Sequence, residues 1–110
     1  MSRDSGVFVT DTHPLAYYAG RRFSKLSKRA RGLFDGAGEG SILICIPTIV
    51  LAEITILLQV ERVRLSVPFD RWCRDLEADA GFSIEPLLWT GVAEMRHLPF
   101  KDPFDRMIVV

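Results

Sequence analysis

The sequence predicts an α/β fold: a layered sandwich around a small parallel sheet, in a single domain spanning residues 1–110. Three observations predict it. Short apolar or β-branched runs at 7–10, 41–46 and 82–87 alternate with segments of helical period. The stretches between them are long enough to cross over, as parallel pairing requires. A chain of 110 residues is enough for one domain with one modest core.

The first strand is Val7 to Thr10, and it runs straight into Asp11. Pro14 suits the first turn of a short helix, with Thr12 or His13 just before it. Ser27 reads as the cap of a second helix whose Ala30, Leu33 and Phe34 share one face, with Gly36, Gly38 and Gly40 ending it. Ser41 to Ile46 is apolar enough to be buried on both faces of a sheet. Pro47 opens a helix running to about Gln59. Ser66 and Pro68 start another, with Phe69, Trp72, Cys73, Leu76 and Ala80 as its apolar stripe. Phe82 to Leu87 is the third strand. A helix near Thr90 to Leu98 follows, and Asp102-Pro103 starts a last one that carries Met107 to Val110. Three strands make a thin sheet, so a further parallel strand is expected beyond Val110.

Charge and composition exclude several classes. Lys plus Arg equals Asp plus Glu at 14 each, and 48% of residues are hydrophobic, which argues against a disordered tail protein. Net neutrality leaves local nucleic-acid contact open: Arg21, Arg22, Lys25, Lys28, Arg29 and Arg31 form a stretch with no acidic residue, read either as a phosphate-binding face or as a solvated helix face. Cys45 and Cys73 form no CxxC pair, so neither a zinc site nor a redox motif is suggested. No signal peptide and no membrane-length apolar run is seen. A soluble cytoplasmic protein is the expectation. A Walker lysine motif and a GxGxxG are both absent, and no Ser, Cys or His forms a convincing triad.

The carboxylates carry the candidate chemistry. Asp11 follows the first strand, and in open parallel sheets ligands gather beyond the carboxyl ends of strands. It is equally a natural turn or cap residue. On a helical wheel, Thr48, Thr55 and Gln59 define a polar face, and Glu53 points about 140° away from it, among Ile49, Leu57 and Val60. A lone carboxylate on an apolar side needs a cation, a donor or water in a cleft, unless it reaches the rim and wets its tip. In Lys101-Asp102-Pro103-Phe104-Asp105-Arg106, Asp102 fits an N-cap and Asp105 the N3 position; either also suits a site facing Asp11 and Glu53. Several carboxylates in one cleft are held together by a hard divalent cation, and oxygen-only donors favour magnesium or manganese.

These segments resemble the PIN-domain family, and within it the VapC-type ribonuclease toxins of toxin–antitoxin pairs. The resemblance covers essentially the whole chain: VFVTDTHPLAYY, KLSKRARGLF, ICIPTIVLAEI, GFSIEPL and HLPFKDPFDRMIVV. The pairing of the Asp-Thr-His opening with the Asp-Pro-Phe-Asp-Arg ending is its most specific part. It implies a PIN-like three-layer sandwich, with the family's last strand and helix, and the aspartate that follows that strand, missing here. It implies Asp11, Glu53 and Asp105 as ligands of Mg2+ or Mn2+, Asp102 bordering the site, and Thr12 supporting water there. The implied reaction is hydrolysis of RNA to 5′-phosphate and 3′-hydroxyl products. The implied partners are RNA, a cognate antitoxin and a second copy in a homodimer. Two readings of other classes stand beside it: a non-catalytic PIN protein that binds antitoxin or a partner chain, and a PIN nuclease of RNA processing.

Overall fold

The structure is a computed structural model, and it describes residues 6–86, Thr90 and the backbone of 107–109. Strands β1 (Gly6–Thr10), β2 (Ile42–Pro47) and β3 (Phe82–Glu85) are parallel, and β4 (Met107–Val109) completes a sheet of order β3-β2-β1-β4. Helices α1 (Thr12–Ala19) and α2 (Lys28–Gly38), with a 3-10 turn at Phe23–Lys25, connect β1 to β2. Helices α3 (Thr48–Gln59) and α4 (Phe69–Ala78) connect β2 to β3. The expected mixed α/β class with a small parallel sheet is what the chain adopts.

One face of the sheet makes the core. Phe8, Ile42, Ile44, Ile46 and Phe82 pack with Leu15 and Ala16 of α1, Leu33, Phe34 and Ala37 of α2, Val50 and Ile54 of α3, and Leu76 of α4. The period of two sends alternate residues to the other side, where Val9, Leu43 and Cys45 are only half-buried. The continuous apolar run of β2 is therefore fully buried on one face, not on both, among the described residues. Two crossovers leading in the same direction, from β1 to β2 and on to β3, account for four helices on one face, because right-handed connections place them there.

Local chemistry sets the element ends. The Ser27 hydroxyl accepts from the Ala30 N–H at 3.0 Å and caps α2. This helix runs through Gly36 to Gly38 instead of ending at the first glycine. Gly40, at φ +82°, supplies the left-handed turn that leads into β2. In α4, Phe69, Trp72 and Cys73 are half-buried and Leu76 is buried, as the stripe predicts; Ala80 lies past the helix end and is exposed.

The end of the chain differs from expectation. Met107–Val109 is a strand antiparallel to β1, with Thr10 opposite Met107, Val9 opposite Ile108 and Phe8 opposite Val109. A helix over 103–110 is thereby corrected for the described positions, and the β1 edge is paired by an antiparallel strand. An apolar block of β-branched residues has strand propensity of its own, and an unpaired sheet edge offers it a ladder of hydrogen bonds. Apart from Thr90, which is helical, the expected helix at 90–98 lies outside the described residues, as does the Asp102-Pro103 helix start.

Candidate functional site

Asp11 stands where β1 becomes α1, at the carboxyl end of the sheet's parallel strands. Its backbone is extended, and its Oδ1 accepts from the Thr12 N–H at 2.7 Å. The buried Thr10 hydroxyl donates to the Asp11 carbonyl at 2.9 Å. Asp11 is thus a helix cap, held from both sides and half-buried. Capping and a place at the strand ends occur together here, so the two readings of Asp11 do not compete.

Thr12 is 2% exposed, and among the described residues its Oγ1 has no hydrogen-bond partner. A buried hydroxyl left unpaired costs about 1–3 kcal/mol, which native structures rarely leave uncompensated. This orphaned oxygen beside Asp11 is the kind of group that hydrates or supports a bound cation.

Glu53 is exposed, which corrects its expected place on a buried side. The cause lies in α3, which is apolar around most of its circumference. Val50 and Ile54 are buried, with Leu51, Leu57 and Leu58 packed partly behind them. Ile49, Ile56 and Val60, 52–58% exposed, face outward with Glu53 among them. The solvent face is broader than the polar line: it runs from exposed Thr48 and Gln59 through Ala52, Ile56, Ile49 and Val60 to Glu53. Among the described residues Glu53 has no ion-pair partner, so no structural salt bridge explains it. Helix α1 packs against α3, and α3 begins at the carboxyl end of β2, so Asp11 and Glu53 are carried by adjacent elements.

Asp102 and Asp105 lie outside the described residues. Met107, whose backbone is paired opposite Thr10, follows Asp105 by two positions in the sequence. Among the described residues no three His, Cys, Asp or Glu side chains are grouped to hold a metal ion. The donors there, the Asp11 carboxylate, the Glu53 carboxylate and the Thr12 hydroxyl, are all oxygen, which fits a hard cation in type.

All six basic residues of 21–31 are exposed. They are not equivalent. Arg31 lies with its guanidinium 4.3 Å over the Phe23 ring and its Nε 3.8 Å from Asp35, so part of its charge is already engaged. Lys25 lies 5.9 Å from the centre of the Tyr17 ring, and His13 and Tyr17 form a tilted ring pair 6.1 Å apart. Within the basic stretch Phe23 is the one aromatic residue, and its ring already lies under Arg31. Two further aromatics come from the preceding helix, and their signal was the His13–Tyr17 spacing of one helical turn.

The remaining titratable shifts are structural. Burial raises the Tyr18 hydroxyl above its ordinary value, and the adjacent Asp35 raises it further. Burial likewise raises the free thiols of Cys45 and Cys73, assisted by Glu85 at the first and by Asp70 and Glu77 at the second. Among the described residues no helix is long and apolar enough to cross a membrane. Comparison of the chain with protein-family models, with curated proteins and with solved structures finds no match.

Proposed function

We propose that the chain is a metal-dependent endoribonuclease of the PIN type, acting in the cytoplasm as the toxin of a toxin–antitoxin pair. The observation that carries this reading is the β1–β4 register. It pairs Met107, two positions after Asp105, with Thr10, the residue before Asp11. The register sets the start of β4 beside the end of β1, and in the sequence Asp-Thr-His directly follows the one and Asp-Pro-Phe-Asp-Arg directly precedes the other. The unpartnered Thr12 hydroxyl adds to it.

In this reading Asp11, Glu53 and Asp105 hold Mg2+ or Mn2+, with Asp102 at the border. When bound, such an ion would supply charge neutralisation at a phosphoryl oxygen and activation of water. The chain's own residues do the rest. The Thr10 and Thr12 bonds hold Asp11 to the end of β1, which fixes the direction of its carboxylate. Thr12 keeps a hydroxyl beside it in a place closed to bulk water. Arg21, Arg22, Lys25, Lys28 and Arg29 bind flanking phosphates of the RNA without reading sequence. The outward stripe Ile49, Ile56 and Val60 suits a protein contact, either a second copy or the apolar segment of an antitoxin. That stripe also favours the second reading, a PIN-like protein that binds a partner without cutting RNA.

The deciding experiment is incubation of the purified chain with end-labelled RNA, with Mn2+ and with chelator. Cleavage that needs the metal, leaves 5′-phosphate ends and is lost in Asp11→Asn is the expected result. Intact RNA in the presence of Mn2+ would reject the nuclease and leave the binding protein.

A further inference from the structure

We infer that His13 and Tyr17, with Lys25 beside them, form a stacking platform for an unpaired base of single-stranded RNA, immediately along α1 from Asp11. The inference rests on the nuclease reading and specifies its substrate. Helix α1 buries Thr12, Pro14, Leu15 and Ala16 and turns His13 and Tyr17 outward on the same side, one turn apart. Their rings are 6.1 Å apart and tilted by 52°. Tyr18, the next residue, does the opposite: it stacks on buried Phe34 at 4.6 Å with 14° between planes. Both tyrosines are half-buried, but the Tyr18 ring face is stacked on Phe34, whereas the Tyr17 ring meets His13 at a tilt.

The backbone then brings positive charge to that ring. Gly20, Arg21 and Arg22 donate N–H groups back to the carbonyls of Ala16, Tyr18 and Tyr17 at 2.8–3.1 Å, folding the chain against the end of α1. Arg21 accepts a left-handed φ of +59° in this turn. The result sets Lys25 Nζ 5.9 Å from the Tyr17 ring centre, with exposed Arg21 and Arg22 between them in sequence. Aromatic faces beside a basic track are what single-strand binding needs: bases stack on the rings while cations follow the phosphates. In a duplex the base faces are covered by their neighbours, so the platform selects unpaired RNA. Tyr17 lies six residues from Asp11, about 9 Å along a helix axis, which places the stacked base next to the phosphate held at Asp11.

The test measures binding in chelator, so that nothing is cut, with three probes: a short labelled single-stranded RNA of mixed sequence, the same RNA in a duplex, and an abasic ribose-phosphate chain of equal length. The wild type should bind the single strand at least about fivefold, and up to about a hundredfold, more tightly than the abasic chain. Tyr17→Leu should erase that difference and Tyr17→Phe should keep it. Lys25→Ala should weaken single-stranded RNA and abasic chain alike and lower the salt slope by about one. Equal wild-type affinity for the single strand and the abasic chain would overturn the platform, and this comparison requires no variant to fold. So would a folded Tyr17→Leu that still prefers bases. If the wild type cuts RNA with Mn2+ yet ignores the bases, only the platform falls. If it neither binds nor cuts RNA, the nuclease reading falls with it.

Discussion

Asp11 caps α1 and, in the proposed function, also holds the metal, and substitutions can separate the observed role from the proposed one. As a cap it accepts the Thr12 N–H, a task an amide oxygen performs as well as a carboxylate. As a metal ligand it needs its charge. Asp11→Asn should unfold within a few tenths of a kcal/mol of wild type, whereas Asp11→Ala should lose about 1 kcal/mol. Both should lose RNA cleavage by more than the ~10–100-fold that loss of an outer-shell partner costs. Denaturant unfolding and cleavage rates of the two variants check this, and an active Asp11→Asn would remove Asp11 from the metal site. Tyr18 gives the pH counterpart. Its hydroxyl is raised in the folded chain from the ordinary value of 10.0, first by burial and then by Asp35. The folded state therefore binds the proton more tightly than the unfolded one. Stability from this group is complete below pH 10.0 and is lost as pH rises from there through the folded value. Tyr18→Phe should flatten that alkaline decline in unfolding curves while leaving neutral stability within about 1.5 kcal/mol of wild type. An unchanged alkaline slope would show that other groups set it.

Elements met tightly in space are where this fold is least tolerant. Gly81, just before β3, lies against the backbone of Ala37 in α2, so close that an added Cβ would overlap the Ala37 carbonyl. The same residue anchors the sheet, because its carbonyl accepts the Ile44 N–H at 2.8 Å and its N–H donates to Asp79 at 2.9 Å. Backbone has no rotamer with which to yield. Gly81→Ala should cost at least the 1–3 kcal/mol typical of overpacking, read by chemical unfolding, with β2–β3 pairing disturbed first. A variant as stable as wild type would mean that α2 and β3 separate freely. Such contacts join residues far apart in sequence, and this marks what was legible beforehand. The Ser27 cap, the α4 stripe and the three parallel strands follow from neighbours within a turn or a pleat, so the sequence displays them. Met107–Val109 reads equally as buried helix or strand, and only the open β1 edge decides between them. Glu53 was correctly set apart from the polar line of α3. Its exposure was illegible, because a helix apolar on most sides does not say which side its neighbours cover.

At the scale of the molecule, the candidate site joins elements that the core holds only from behind. Asp11 ends β1, Glu53 rides on α3, and the two helices involved meet through their buried faces while the carboxylates lie at or near the surface. A cation bound by both would clasp α1 to α3 from the outside, so metal should stabilise the whole fold in proportion to its occupancy. At a metal concentration a hundred times the dissociation constant that stabilisation is about 2.7 kcal/mol. In a domain of this size it raises the unfolding midpoint by about 10 °C. Glu53→Gln isolates this effect. Glu53 is exposed and has no ion-pair partner among the described residues, so in chelator the variant should melt with the wild type. Surface substitutions of that kind shift stability by no more than about 0.5 kcal/mol. With Mn2+ the wild type should rise and the variant should lose most of that rise, with RNA cleavage lost in parallel. Thermal unfolding of both proteins, with chelator and with Mn2+, gives the answer. A variant that melts far lower in chelator would reveal a structural role for Glu53. One that gains as much from Mn2+ as the wild type would place the metal, if it binds, on other carboxylates.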